Sequence, residues 1–388
     1  MIIAGLVFAW FQWIGGRRRS APFQIGKITQ ITTAGKAERV AVSPDGKEVV
    51  YSMVDAGRQS LWLRQVNTGS EIRIVPPERV EYRGITFSRD GAFVYYVRRE
   101  QDGSVGALYQ LPKLGGAARR LFNNVDSPIS LSPDGKQLTF VRQGSRSGEN
   151  ALMIANVDGA GERQLAVRQR PHLFRQNGPA WSPDGRLIAS GVGNYPGSHQ
   201  VIGVRVADGR EESLTSQRWG SVGQLAWLPD GSGLIISAAE LEGYWTQIWH
   251  LSYPSGAPHK VTRDLNNYAN VSVTGDSRTI GATRGNSLVN IWIAPNGNAS
   301  RAIQVTTGER REDGLRGLSW TPDDKIVYRS VAGGSPRIWI MEANGAGNRL
   351  LSVDTRQNFD PTVSPDGRHV VWSAIRTDLR SLWRMELD

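Results

Sequence analysis

The tetrapeptide Ser-Pro-Asp-Gly, or a worn copy of it, recurs along the whole chain, and no other feature limits the possible folds as strongly. It stands intact at 43–46, 132–135, 182–185 and 364–367, and altered as SRDG 88–91, LPDG 228–231, TGDS 274–277 and TPDD 321–324. Successive turns begin 45, 44, 50, 46, 46, 47 and 43 residues apart. Pro presets φ near −65°, Asp bonds to local backbone N–H groups, and Gly accepts positive φ, so the motif is a tight turn. Short apolar runs on both sides make it the tip of a β-hairpin. A period of about 45 residues is the length of a four-stranded propeller blade.

The rest of each unit agrees. A strand that often carries Trp follows the turn: "SLWLRQV" 60–66, "TQIWHLS" 246–252, "NIWIA" 290–294, "RIWIME" 337–342 and "SLWRME" 381–386, with Tyr109 taking the Trp place in "GALYQLP". A Gly-rich turn then leads to a short outer strand such as "ESLT" 212–215, "HKVT" 259–262 or "IQVT" 303–306. Two places before each turn the residue is small (Ala41, Thr86, Ser130, Ala180, Ala226, Ser272, Ser319, Thr362), and one place before it is larger (Val42, Phe87, Leu131, Trp181, Trp227, Val273, Trp320, Val363). Strand side chains alternate between faces, so each inner strand offers a small face to one neighbour and a bulky face to the other, as stacked blades require. The eighth unit ends without an outer strand, and "ITQIT" 28–32 is an outer-strand sequence with no blade before it. The expectation is therefore an all-β, single eight-bladed propeller over 28–388, in which strand 28–32 completes the last blade and removes an open edge. Seven blades would need TGDS or TPDD to have collapsed into a loop, against their regular spacing.

An array of stacked units is one domain with a continuous core. The chain has no cysteine, so disulfides play no part. Its net charge of +10 comes mainly from arginine, spread over all units with no basic run beyond Arg17–Arg19, which argues against nucleic acid as the partner. Residues 1–16 open with the apolar "MIIAGLVFAWFQWI", and 17–27 read as a basic, polar linker. The apolar run is short for a spanning helix, and it lacks the charged start and cleavage site of a signal peptide. A membrane anchor is the reading preferred over a helix packed on the propeller. By charge alone Arg17–Arg19 would lie on the cytoplasmic side.

The turn, the "LW" third strand and the "LT" outer strand, recurring in that order over 28–388, resemble the TolB-type, WD-like propeller repeat. In texture the chain is similar to propellers that follow one membrane helix in bacterial receptor-like Ser/Thr kinases and winged-helix regulators. That resemblance implies a sensing or protein-binding module placed outside the cytoplasmic membrane, periplasmic, and it opens the alternative of an input domain of a truncated kinase or regulator. Propellers of this type also accompany prolyl-oligopeptidase-like hydrolases, whose G-x-S-x-G elbow is absent here.

H-E-x-x-H and P-loop motifs are absent as well. The five histidines fall at different places in their repeats, so the repeat does not gather them into a ligand set, and the repeated Asp already has a turn role. No metal, cofactor or catalytic residue is expected. Loops entering the inner strands share one face with those joining second to third strands, and the longest lie in units four and five. They bring Arg168, Arg170, His172, Phe174, Arg175, Tyr195, Trp219, Tyr244 and Trp245 to one sector, and arginine beside aromatics is the composition of binding hot spots. Arg39, Arg83, Asn177, Asn270, Arg316 and Asp360 precede their inner strands and are expected at the channel mouth. The functional expectation is a non-catalytic, monomeric binding propeller for an anionic protein, peptide or glycan on the entering-loop face. The alternative is a lyase- or glycosidase-like enzyme with its site in the channel.

Overall fold

The computed structural model describes residues 27–100, 105–144, 148–193, 197–241, 243–308, 312–352, 357–376 and 379–387. The expected anchor, 1–16, and nearly all of the linker lie outside them. Among the described residues no helix is long and apolar enough to cross a membrane.

The repeated turn works as its chemistry suggests. In unit one Ser43 Oγ donates to Asp45 Oδ1 (2.7 Å), Lys47 N donates to the same oxygen (3.1 Å), and Glu48 N donates to Ser43 Oγ (2.9 Å). Gly46 closes the turn at φ 72°. Worn copies keep the geometry with other residues: Thr274 Oγ1 donates to Asp276 Oδ1 (2.6 Å), while Ser277 (φ 61°) and Asp324 (φ 61°) occupy the left-handed place that glycine fills elsewhere. Hydrogen bonds from the turn hydroxyls of Ser43, Ser88, Ser132, Thr274 and Ser364 hold the carboxyls of Asp45, Asp90, Asp134, Asp276 and Asp366 below the ordinary carboxylate value. A carboxyl depressed in the folded state adds stability that is complete above its unfolded pKa, about 4, and is lost as pH falls through the lower folded value. Stability should therefore be level above about pH 4 and fall below it. Acid titration followed by circular dichroism checks this; in a variant with Ser43, Ser132 and Ser364 changed to Ala, the acid-sensitive part of the stability should shrink.

Six of the eight units follow the expected order of inner, second, third and outer strand. Unit one runs Ala37–Val42, Glu48–Asp55, Arg58–Gln65 and Glu71–Glu78. Unit two follows with Val80–Phe87, Phe93–Glu100, Ala107–Pro112 and Arg119–Asn123, and units three and seven repeat the order. Units four and five keep it too, joined into one sheet where His199 pairs with Trp219. Unit six is divided: Asn267–Val273 pairs only with Ile280–Gly285, while Trp292–Ile293 pairs separately with Ile303–Gln304. Unit eight has three strands, Asn358–Val363, His369–Arg376 and Leu379–Glu386. Residues 28–32 are described without strand structure.

Apolar clusters fill the spaces between successive units, with Leu61 and Tyr96 between one and two, Phe140 between two and three, Ile188 between three and four, Trp219 and Trp249 between four and five, and Tyr268 between five and six. Another joins seven to eight through Ile338 and Trp372. Unit one then packs back on unit six. Val42 N donates to Ser272 Oγ (3.1 Å), and Gly275 N donates to Pro44 O (2.7 Å). The first bond recurs at the two other junctions where serine holds the small-residue position, since Trp181 N donates to Ser130 Oγ (3.0 Å) and Val363 N donates to Ser319 Oγ (3.1 Å). Contacts thus run around units one to six. Units seven and eight stack on each other and on the separated strands of unit six, where Ile291 joins Ile326, Tyr328 and Met341. The expected closure of the eighth unit onto the first is not the one described. Ser272, at the small-residue position of unit six, serves unit one rather than unit seven.

Candidate functional site

Among the described residues, the aromatics of the loop cluster form no exposed surface. Trp219 is 0% exposed and begins the nine-residue strand Trp219–Trp227; Phe174 and Trp245 are buried as well. Arg168 is held by Glu211 and by His172 O, with its guanidinium 5.5 Å from the Phe174 ring centroid. Arg175 is half-buried, its backbone N–H bonded to Gly191 O (2.8 Å), and burial holds its guanidinium below the ordinary value. Arg170 and His172 are exposed. Tyr195 lies outside the described residues. Tyr244 is half-buried and donates its hydroxyl to Glu312. Glu312 also pairs with buried Arg329 (Nη1 to Oε2, 3.4 Å), whose guanidinium lies 5.1 Å from the Tyr244 ring and 5.6 Å from that of Phe359. Burial, then the bond to Glu312, raises the Tyr244 hydroxyl above its ordinary value. Tyr244 is therefore part of a clamp between unit five and units seven and eight, not a free contact residue.

The second set is better placed. Inner strands of units one, two, five, six and eight each carry a β-bulge three to five residues before the turn, where the register shifts across 38–39, 83, 223–224, 270–271 and 360–361. A bulge leaves a residue outside the ladder and re-aims its side chain, and such bulges are enriched beside functional sites. Arg39, Arg83, Asn270 and Asp360 occupy these positions, the latter two at φ 55° and 52°.

Arg39 links three units: Nη1 donates to Asn270 Oδ1 (2.7 Å) and Nε to Tyr82 O (3.1 Å). Burial holds its guanidinium below the ordinary value, against the opposite pull of Glu38 and Glu81 and reinforced by Arg83. Arg83 pairs with Glu81 (3.1 Å) and keeps part of its side chain in solvent. Asn177 Nδ2 donates to Val222 O (3.0 Å), and Asn270 Nδ2 donates to Glu38 O (2.5 Å). Arg316 and Asp360 belong to units seven and eight, where Arg316 is exposed and Asp360 pairs with Arg380 (3.0 Å). The structure thus divides the expected mouth, keeping Arg39, Arg83, Asn177 and Asn270 on the six-unit circuit. Glu38 and Glu81 were missed in the sequence, although each stands one or two residues before a selected arginine. Among the described residues no His, Cys, Asp and Glu group could hold a metal ion.

These features define an all-β propeller whose fold is similar to that of TolB-type proteins. A solved structure described as a putative TolB from Agrobacterium tumefaciens superposes with a TM-score of 0.54 at 19% identity, covering 67% of this chain and 95% of that one, a likeness of fold. An uncharacterized protein of Agrobacterium fabrum is 31% identical over 198 residues, 49% of this chain and 60% of its own length. An uncharacterized peptidase of Bacillus subtilis, YuxL, is 25% identical over 207 residues, 50% of this chain and 28% of that protein. The chain spans less than two thirds of either curated relative. No family model matches it.

Proposed function

We propose that this chain is a non-catalytic binding propeller whose partner, a protein, peptide or glycan, places an anionic group at the mouth between Arg39 and Arg83. The observation that carries the reading is the pair of bulges that set these two arginines outside the ladders of adjacent inner strands. Arginine binds carboxylates through two parallel N–H donors, and a half-buried guanidinium binds more strongly than one in open water. Asn177 adds a half-buried amide group on the same circuit, while buried Asn270 holds Arg39 in place. The neighbouring carboxylates support binding over acid–base chemistry: Glu81 is paired with Arg83 and Arg99, and Glu38 accepts from Gln59 Nε2 (2.9 Å). Membrane attachment rests on the apolar run of 1–16 and an extracytoplasmic location on the sequence resemblance; both belong to the same proposal, to which a role as input domain is the alternative.

A fluorescein-labelled hexaglutamate peptide tests the anionic reading by polarisation at low salt. Arg83→Gln should weaken its binding by about 1.5–3 kcal/mol, the worth of a charged hydrogen bond. It should largely spare the fold, because both members of the Arg83–Glu81 pair keep part of their side chains in solvent, where such a pair contributes about 0–1 kcal/mol. Arg120→Gln, on an outer strand, is the control and should bind as the parent does. Equal affinity for the Arg83 and Arg120 variants would reject this mouth.

A further inference from the structure

We propose that the uncovered faces of units seven and eight are a docking surface for units six and one of the same chain, so that the molecule closes either through six units or as a ring of eight. Residues at equivalent repeat positions carry the argument. Leu382 in unit eight pairs with Ser373 as Ile338 in unit seven pairs with Arg329; Ile338 is 0% exposed because unit eight covers it, whereas Leu382 is 79% exposed. Around Leu382 lies an open groove formed with Thr362, Val371, Trp372 and Arg380. On the opposite side of this pair of units Trp320 is 46% exposed, although its equivalents Trp181 and Trp227 are buried at 4% and 8%. A small-residue face without a follower and a bulky face without a predecessor are the two halves of the contact that joins every other pair of units.

The occupant follows from the hydroxyl rule. Ser272 of unit six accepts from Val42 N, and Thr362 stands exposed at the same position of unit eight. Shifting Val42 N from Ser272 to Thr362 seats unit one on unit eight and frees Ser272 for Trp320 N of unit seven. The seam that must open is distinctive: among the described residues no buried apolar cluster spans units six and one, and the bonds across it are polar, including Arg39 to Asn270 (2.7 Å). The exchange gives up one interface, six to one, and forms two, six to seven and eight to one. It also lets the strand around Trp292, now 59% exposed, rejoin Ile280–Gly285, whose second edge is unpaired among the described residues. Burial of exposed apolar surface favours the larger ring, and the Tyr244–Glu312–Arg329 clamp favours the smaller.

A chain free of cysteine allows the two closures to be read directly by engineered pairs. The full chain carrying Val42→Cys with Thr362→Cys is oxidised, then analysed on non-reducing gels and by peptide mapping. Val42→Cys with Ser272→Cys reports the smaller circuit, and Val363→Cys with Ser319→Cys is the control for a seam common to both. The expected result is an intrachain disulfide in all three. Free thiols in the Val42/Thr362 pair while the other two close would overturn the proposal, and so would a disulfide-linked dimer, which would make a second copy the occupant. Leu382→Cys gives an independent reading in a single surface variant: a fraction should react with maleimide about tenfold more slowly than a free thiol. Uniformly fast reaction would also overturn it.

Discussion

Replacing Trp219 by Ala should lower the unfolding free energy by about 3–5 kcal/mol, the range for removing a large aromatic from a packed core. Trp219 has no solvent exposure, its ring centroid lies 4.9 Å from that of Trp249 at 71°, and it shares a cluster with Val222, Leu225 and Leu251. Edge-to-face pairs of this kind add about 0.5–1.5 kcal/mol beyond the area they bury. Trp292→Ala, at a site 59% exposed, should change stability by no more than about 0.5 kcal/mol. Urea titration of both variants checks the contrast. An unchanged midpoint for Trp219→Ala would return that side chain to the surface, where the sequence had placed it.

Arg329→Ala should be comparably damaging for an electrostatic reason. Arg329 and Glu312 are almost wholly buried, and removing the guanidinium takes from the Glu312 carboxylate its one cationic partner among the described residues, leaving the Tyr244 hydroxyl. Stranding one member of a buried ion pair costs about 3–5 kcal/mol, whereas replacing both members by apolar residues of similar size is often neutral. Arg329→Met combined with Glu312→Leu should therefore recover most of the loss. Because Tyr244 belongs to unit five and Phe359 to unit eight, the loss should appear as earlier melting of units seven and eight. Hydrogen exchange of Lys325–Ser330 against Gly233–Glu240 would show it. If the double variant is no more stable than the single one, the pair is not the electrostatic unit described.

The repeat, the turn chemistry and the small and bulky faces were legible in the sequence because each depends on residues close together in the chain. Closure was not, because it depends on which of two similar hydroxyl positions, Ser272 or Thr362, receives Val42 N, and both are present. The loop aromatics misled for a local reason. Between Trp219 and Trp227 the register shifts near Gly220 and again at Gly223–Gln224, so the alternation that marks a buried strand is broken and "SQRWGS" reads as loop. Tyr244 gave no signal of its clamp, since Glu312 lies 68 positions further along. Of the positions chosen for the mouth, Arg39, Arg83, Asn270 and Asp360 fall on bulges of their inner strands, whereas Asn177 and Arg316 do not, and the choice could not tell the six-unit circuit from the two units beside it.

The hydroxyl bond between units has an asymmetry that bears on how such chains diverge. Its donor is a backbone N–H, offered equally by Val42, Trp181 and Val363, while only the acceptor is a side chain. No donor-side substitution other than proline erases the bond, so selection on this bond falls mainly on the codon for the small residue. A duplicated or transposed repeat would arrive with half of its junction already correct, and a lineage could change its number of repeats before its surfaces had adapted to one another.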